Sequence, residues 1–135
     1  MNYRNCPRVV LCIALALLAG CNSQPTQGTL EGKVTLDGAP LKSGLIRFVP
    51  TDGQTPTADA TITDGTFRAT VPPGEKRVEI NAPQVTGQRK AYDTPDSPTV
   101  DVVHELLPTK YNVNSELVFT VQAGSQTPEF ALQSK

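Results

Sequence analysis

The residues best equipped for chemistry are His104, Asp101, the serines Ser97, Ser115 and Ser125, the cysteine at position 21, and two groups of aspartates. His104 is the single histidine of the 135-residue chain. A histidine held by an aspartate activates a serine only when the serine is presented on a strained turn, and no Gly-x-Ser-x-Gly elbow is present. His104 beside Glu105 therefore reads as a surface or packing residue, and no catalytic residue is expected. Zinc fails for want of ligands: beyond His104 there are three cysteines, Cys6, Cys12 and Cys21, all near the N-terminus. Asp93, Asp96 and Asp101, or Asp59 and Asp64, lack the Asp-x-Asp-x-Asp-Gly spacing of a calcium loop. Scattered aspartates of this kind make turn hydrogen bonds. The sequence thus predicts no metal and no cofactor.

Cys21 is different, because its surroundings specify a modification. Met1 to Arg8 carries two charges, Arg4 and Arg8, and an unbroken apolar run follows from Val9 to Ala19. A basic start, about a dozen apolar residues and a small-residue end form a secretory signal. The run is shorter than the ~20 residues a membrane span requires. Its end, Leu18-Ala19-Gly20-Cys21, resembles the bacterial lipobox. That resemblance implies a thioether-linked diacylglyceryl group on Cys21 and cleavage just before it. Small residues let the peptidase approach the backbone, and only a thiol forms the thioether. Residues 1–20 are then a signal peptide, a signal helix that is removed, and residues 21–27 are the lipidated cysteine and a polar tether. Cys6 and Cys12 leave with the signal and Cys21 is consumed, so the mature chain holds no disulfide.

Cleavage also changes the charge. Losing Arg4 and Arg8 reduces the 12 basic residues to 10 against 13 acidic ones, a net charge of −3. That surface argues against nucleic acid, which needs a basic patch. It gives no electrostatic help at an anionic bilayer either. Membrane attachment must rest on the acyl chains, at ~0.8 kcal/mol per buried CH₂.

From Gly28 onward the hydrophobic period is two. Leu30, Val34 and Leu36 alternate with Glu31, Lys33 and Thr35; Ile46 and Phe48 flank Arg47; Phe67, Ala69 and Val71 alternate with Arg68 and Thr70. Val78 and Ile80, then Leu117, Phe119 and Val121, then Phe130 and Leu132 repeat the pattern. This is the signature of half-buried strands. Asp37-Gly38 and Asp64-Gly65 stand between alternating runs, a strong hairpin signal. Pro72-Pro73-Gly74 forces a further turn. The expected fold is all-β: one antiparallel β-sandwich of about seven strands over residues 28–135. Leu30, Val34, Ile46, Phe48, Phe67, Val78, Ile80, Leu117 and Phe119 are its expected core.

One stretch breaks the rhythm. Ala82 to Leu107 contains Pro83, Gly87, Pro95 and Pro98, and only Val100 to Val103 suggests a short strand. It reads as a long loop, either a partner-facing surface or a loosely packed excursion. Arg89, Lys90, Tyr92, Asp93 and Asp96 are its candidate binding residues, offering both charge signs and an aromatic ring within eight positions.

Several phrases in order resemble a known family: Gly32-Lys33-Val34-Thr35-Leu36-Asp37-Gly38-Ala39-Pro40-Leu41, then Gly44-Leu45-Ile46-Arg47-Phe48-Val49-Pro50, Asp64-Gly65-Thr66-Phe67, Val71-Pro72-Pro73-Gly74 and Leu107-Pro108-Thr109-Lys110-Tyr111-Asn112. They are similar to the carboxypeptidase regulatory-like domains of bacterial lipoproteins. That likeness implies a transthyretin-like (prealbumin-like) Greek-key sandwich. Tyr111 is expected to pack its ring and bond its hydroxyl to backbone, as a tyrosine corner does, rather than to sit on a binding surface. Transthyretin-related hydrolases use several histidines and a Tyr-Arg-Gly-Ser ending, whereas this chain has one histidine and ends Ala131-Leu132-Gln133-Ser134-Lys135. The expectation is a non-catalytic binding or structural module, secreted across the inner membrane and anchored in the cell envelope. Its expected partners are the membrane, through Cys21, and an envelope protein or glycan. The alternatives are a carbohydrate-binding module, with Tyr92 and Tyr111 as its stacking aromatics, and a small hydrolase.

Overall fold

A computed structural model describes residues 26–135. The expected signal peptide, Leu18, Ala19, Gly20, Cys21 and the first part of the tether lie outside the described residues. The fold is an all-β sandwich.

Eleven strands follow one another: β1 (Gly28–Leu36), β2 (Ala39–Pro40), β3 (Ser43–Pro50), β4 (Ala58–Thr63), β5 (Thr66–Val71), β6 (Gly74–Asn81), β7 (Pro83–Lys90), β8 (Thr99–Glu105), β9 (Val118–Val121), β10 (Gly124–Gln126) and β11 (Glu129–Leu132). A single turn of 3₁₀ helix, Thr109–Tyr111, precedes β9. The main sheet runs β10-β1-β5-β4-β3-β6-β9, with β11 also on the edge of β1. Pairing between β4 and β5 shrinks to Thr63↔Thr66, and there the sheet folds over on itself. The β1–β5 layer then faces the β3–β4–β6 layer.

The expected turns form. Asp37 and Gly38 have φ of 51° and 85°, and Asp64 and Gly65 have φ of 49° and 76°. Positive φ at both central residues is the type I′ geometry that matches strand twist. Gly65 is further constrained, since a Cβ there would meet the Pro40 Cβ at 2.6 Å.

Leu30, Val34, Ile46, Phe48, Phe67, Val78 and Ile80 are buried in one cluster. Phe48 and Phe67, on opposite layers, place their ring centroids 6.0 Å apart. Phe67 meets Phe130 at 6.2 Å and Phe130 meets Phe119 at 6.1 Å, so all four phenylalanines form one chain of rings. Leu117 and Phe119 are only half-buried. They sit at and just before β9, a four-residue edge strand that has a neighbour on one side only.

Besides the half-buried Leu117 and Phe119 and the larger number of strands, two features depart from the sequence reading. The outer edge of β1 is paired in parallel by β10 and β11, where antiparallel neighbours were expected throughout. The chain returns to β1 from the opposite layer through Gln122 and Ala123, and that crossing reverses the usual hairpin direction. More important, Ala82 to Leu107 is not a loop. It is a hairpin arm, β7 paired with β8 from Pro83↔Glu105 to Lys90↔Thr99. Both of its faces are wet, so it lacks the alternation that reveals a strand against a core. Its interruptions fit the hairpin: Pro83 opens an edge strand, Gly87 adjoins a bulge at Thr86, and Pro95 and Pro98 lie in the turn region.

Tyr111 is buried, and its hydroxyl accepts the Gln133 N–H at 3.0 Å. This is the structural role expected of it, and it removes Tyr111 from any binding surface. Asp37 Oδ1 accepts the Ser134 N–H at 3.0 Å, and these two bonds hold the C-terminal segment to the sandwich.

Candidate functional site

The arm is the candidate site. It is rooted by a carboxylate: Glu105 Oε1 accepts the N–H groups of Ala82 (2.8 Å) and Leu107 (3.1 Å) where the chain leaves and rejoins the sandwich. The Leu106 N–H donates to the Ala82 carbonyl at 3.1 Å and closes the root. At the far end the Ala91 N–H donates to the Pro98 carbonyl (2.8 Å), and Ser97 Oγ accepts the Tyr92 N–H (2.7 Å). Every residue of β7 is exposed, and so is every residue of β8 except Glu105.

The sequence-derived candidates gather at the tip of this arm. Arg89 and Lys90 end β7 opposite Val100 and Thr99. Tyr92 is 69% exposed, and Asp93 and Asp96 stand in the exposed turn. The ion pairs found among the described residues lie on the sandwich instead: Arg68–Glu31 (3.2 Å), Arg77–Glu79 (2.8 Å) and Arg47–Asp59 (4.0 Å). Of Tyr92 and Tyr111, only Tyr92 can stack on a ligand.

The catalytic candidates are not brought together. Asp101 and His104 are three apart on β8 and so point to opposite faces. Asp101 accepts from Gln88 Nε2 at 2.8 Å, and His104 lies opposite Gln84. Ser97 is spent on the arm's turn, and the Ser115 hydroxyl donates to the Val78 carbonyl on the sandwich. Among the described residues no group of three or more His, Cys, Asp or Glu side chains is arranged to hold a metal.

Three features escape a sequence reading. First, Val85 and Val103 face each other across the arm, each 57% exposed, while Val100 and Val102 lie on its other face. The phrase Val100-Asp101-Val102-Val103 in an otherwise polar segment was the available signal. Second, a groove of ≈ 210 Å³ runs between the arm's root and β2, lined by Leu36, Pro40, Leu41, Ala82, Pro83 and Leu106 among others. Third, Lys76 is buried and its Nζ donates to Thr55 Oγ1 at 2.5 Å. It occupies the inward series of β6 ahead of Val78 and Ile80, where alternation alone would have placed an apolar residue.

The arm and the start of β1 lie at opposite poles. Gly28 pairs with Val71 and Gly124, and Gly74 pairs with Val121, which defines one pole. The strand β6 runs from Gly74 to Asn81, and the arm begins one residue later beside Leu36, at the other end of β1. Nine residues of β1 separate the poles by about 30 Å.

Comparison with known proteins adds little. No family model matches the chain, and no curated protein matches it. A structural likeness exists to a 9R-lipoxygenase from Cyanothece PCC8801, with a TM-score of 0.38 and 13% identity. It covers 80% of this chain and 16% of that one, and at such a score it bears on neither fold nor function.

Proposed function

We propose that the chain is a lipid-anchored lipoprotein of the cell envelope and that its sandwich is a non-catalytic module presenting the β7–β8 arm to a partner. The observation that supports this best is the placement of the arm. The domain is tethered at one pole and carries an exposed, apolar-bearing ribbon at the other. From Cys21 to Gly28 is seven residues, a reach of at most about 25 Å. An anchor on Cys21 keeps the tether pole near the bilayer and leaves the arm's root at the far pole. Sandwiches hide their apolar faces, so recognition falls to what protrudes. A protein partner fits the arm better than a glycan, because sugars stack on aromatic faces and the arm offers valines and one tyrosine. A transthyretin-like, carboxypeptidase regulatory-like module is the family reading consistent with this role.

The test is crosslinking in cells on the full chain, with the arm from Gln84 to His104 replaced by a Gly-Ser link in a second strain. The shortened protein should fold and stay in the membrane fraction while losing its crosslinked partners. A folded, membrane-bound variant that keeps every partner removes the arm from the account. Retention of partners by a purified glycan array, in place of proteins, would favour the carbohydrate-binding alternative.

A further inference from the structure

We infer that the free edge of β8 pairs with β8 of a second copy of this chain, antiparallel and centred on Val102. The inference rests on the reading of the arm as an interaction surface and names its occupant.

A two-stranded ribbon standing alone has two open edges, and each is a template for another strand. The edge of β7 is blunted: it starts with Pro83, bulges at Thr86, contains Gly87 and ends in Arg89 and Lys90. Such features discourage strand addition. The edge of β8 has no proline, glycine, bulge, lysine or arginine, and its charges are Asp101 and Glu105. Thr99–Glu105 is regular, free of proline and glycine, and contains three valines, all exposed.

The backbone then restricts the register. The Thr86 hydroxyl donates to the Val102 carbonyl (3.2 Å), the Pro98 carbonyl accepts from Ala91, and the Leu106 N–H donates to Ala82. Even-numbered residues of β8 thus turn their peptide groups toward β7. Thr99, Asp101, Val103 and Glu105 turn theirs outward. Outward residues must meet outward residues, so a two-fold axis has to pass through a residue and not between two. An axis at Asp101 opposes Asp101 to its copy, and an axis at Val103 opposes Asp101 to Glu105. Like charges directly opposite are destabilising. An axis at Val102 opposes Asp101 to Val103 and Thr99 to Glu105, overlaps all seven residues of the strand, and sets Val102 against its copy. On that face Val100 and Val102 of both copies form one apolar strip, which accounts for their position on a wet ribbon. A two-fold contact of this kind closes at two copies.

Val102 then occupies a non-hydrogen-bonded pair, where side chains approach closely. The test is V102C in the full chain, extracted from membranes in mild detergent and oxidised with copper phenanthroline. Val100→Cys, on the same face and with the same remaining thiols, is the control. The axis sets position 100 and its copy four residues apart, about 13 Å, beyond the reach of a disulfide. The expected result is a reducible dimer from V102C and none from V100C. Dimers from both variants, or from neither, overturn the inference. If neither variant links while shortening the arm still removes captured partners, the arm remains an interaction surface and only self-pairing is wrong. If shortening changes nothing either, both readings fall together.

Discussion

Phe48 is the residue on which the sandwich most visibly turns. It lies on β3 with no exposed surface, between Ala58 and Val78 on its neighbouring strands, and its ring faces Phe67 from the other layer at 6.0 Å. Phe48→Ala removes the ring from a packed interior and leaves a cavity that both sheets resist filling. Such truncations cost ~3–5 kcal/mol. The lost aromatic pair, worth about 0.5–1.5 kcal/mol, pushes the change toward the upper end. Against a total stability of about 5–15 kcal/mol this is a large share. At roughly 4–8 °C per kcal/mol for a domain near this size, the midpoint should fall by about 12–40 °C. Urea denaturation followed by far-ultraviolet circular dichroism measures the difference directly, with the slope checked for constancy. Phe119→Ala, at the half-buried edge, should cost clearly less. A loss under about 1 kcal/mol for Phe48→Ala, or a larger loss for Phe119→Ala, would refute the assignment of faces and layers.

Thr55→Val leaves the buried Lys76 amine without its acceptor and should cost about 1–3 kcal/mol by the same denaturation assay. Lys76→Met should recover that loss in the Thr55→Val background, since a flexible apolar chain fills the same path. The Asp37 carboxyl is held below its ordinary value of 3.8, first by the Ser134 N–H it accepts, then by the Ser134 hydroxyl, and least by the Lys135 charge. Its folded value is the lower one, so the tie to the C-terminal segment is complete above 3.8 and is lost as pH falls through the folded value. Hydrogen exchange should therefore show the Ser134 amide protected from pH 7 down to pH 5 and released only in stronger acid. Asp37→Ala should release it at every pH.

Much of the sandwich was legible because its strands have one wet and one dry face. Leu30, Ile46, Phe67 and Val78 announce themselves by alternation, and Asp37-Gly38 and Asp64-Gly65 announce turns because few residue pairs tolerate two positive φ angles. The hairpin of the arm was illegible for the converse reason. With solvent on both sides, Pro83 to Glu105 has no core to impose a period, and its prolines and glycine look like breakers until the pairing is seen. The candidate residues Arg89, Lys90, Tyr92, Asp93 and Asp96 were found by composition, and the fold adds that they share one tip. Val100 to Val103 reads as a short strand and falls within β8, but with no core beside it the run alone does not show that its valines stay exposed. The parallel pairing of β10 and β11 depends on a crossing between layers, which local sequence does not encode.

The central claim is that a lipid on Cys21 holds this sandwich to a membrane with its arm at the far pole, and the most direct measurement is the intact mass of the protein recovered from the membrane fraction. The account predicts a chain that begins at Cys21, heavier than the peptide alone by a diacylglyceryl group or a further acylated form of it, and a Cys21→Ser variant that leaves the membrane fraction. A membrane-bound chain that retains residues 1–20, or a mature chain whose Cys21 carries no lipid, would contradict it.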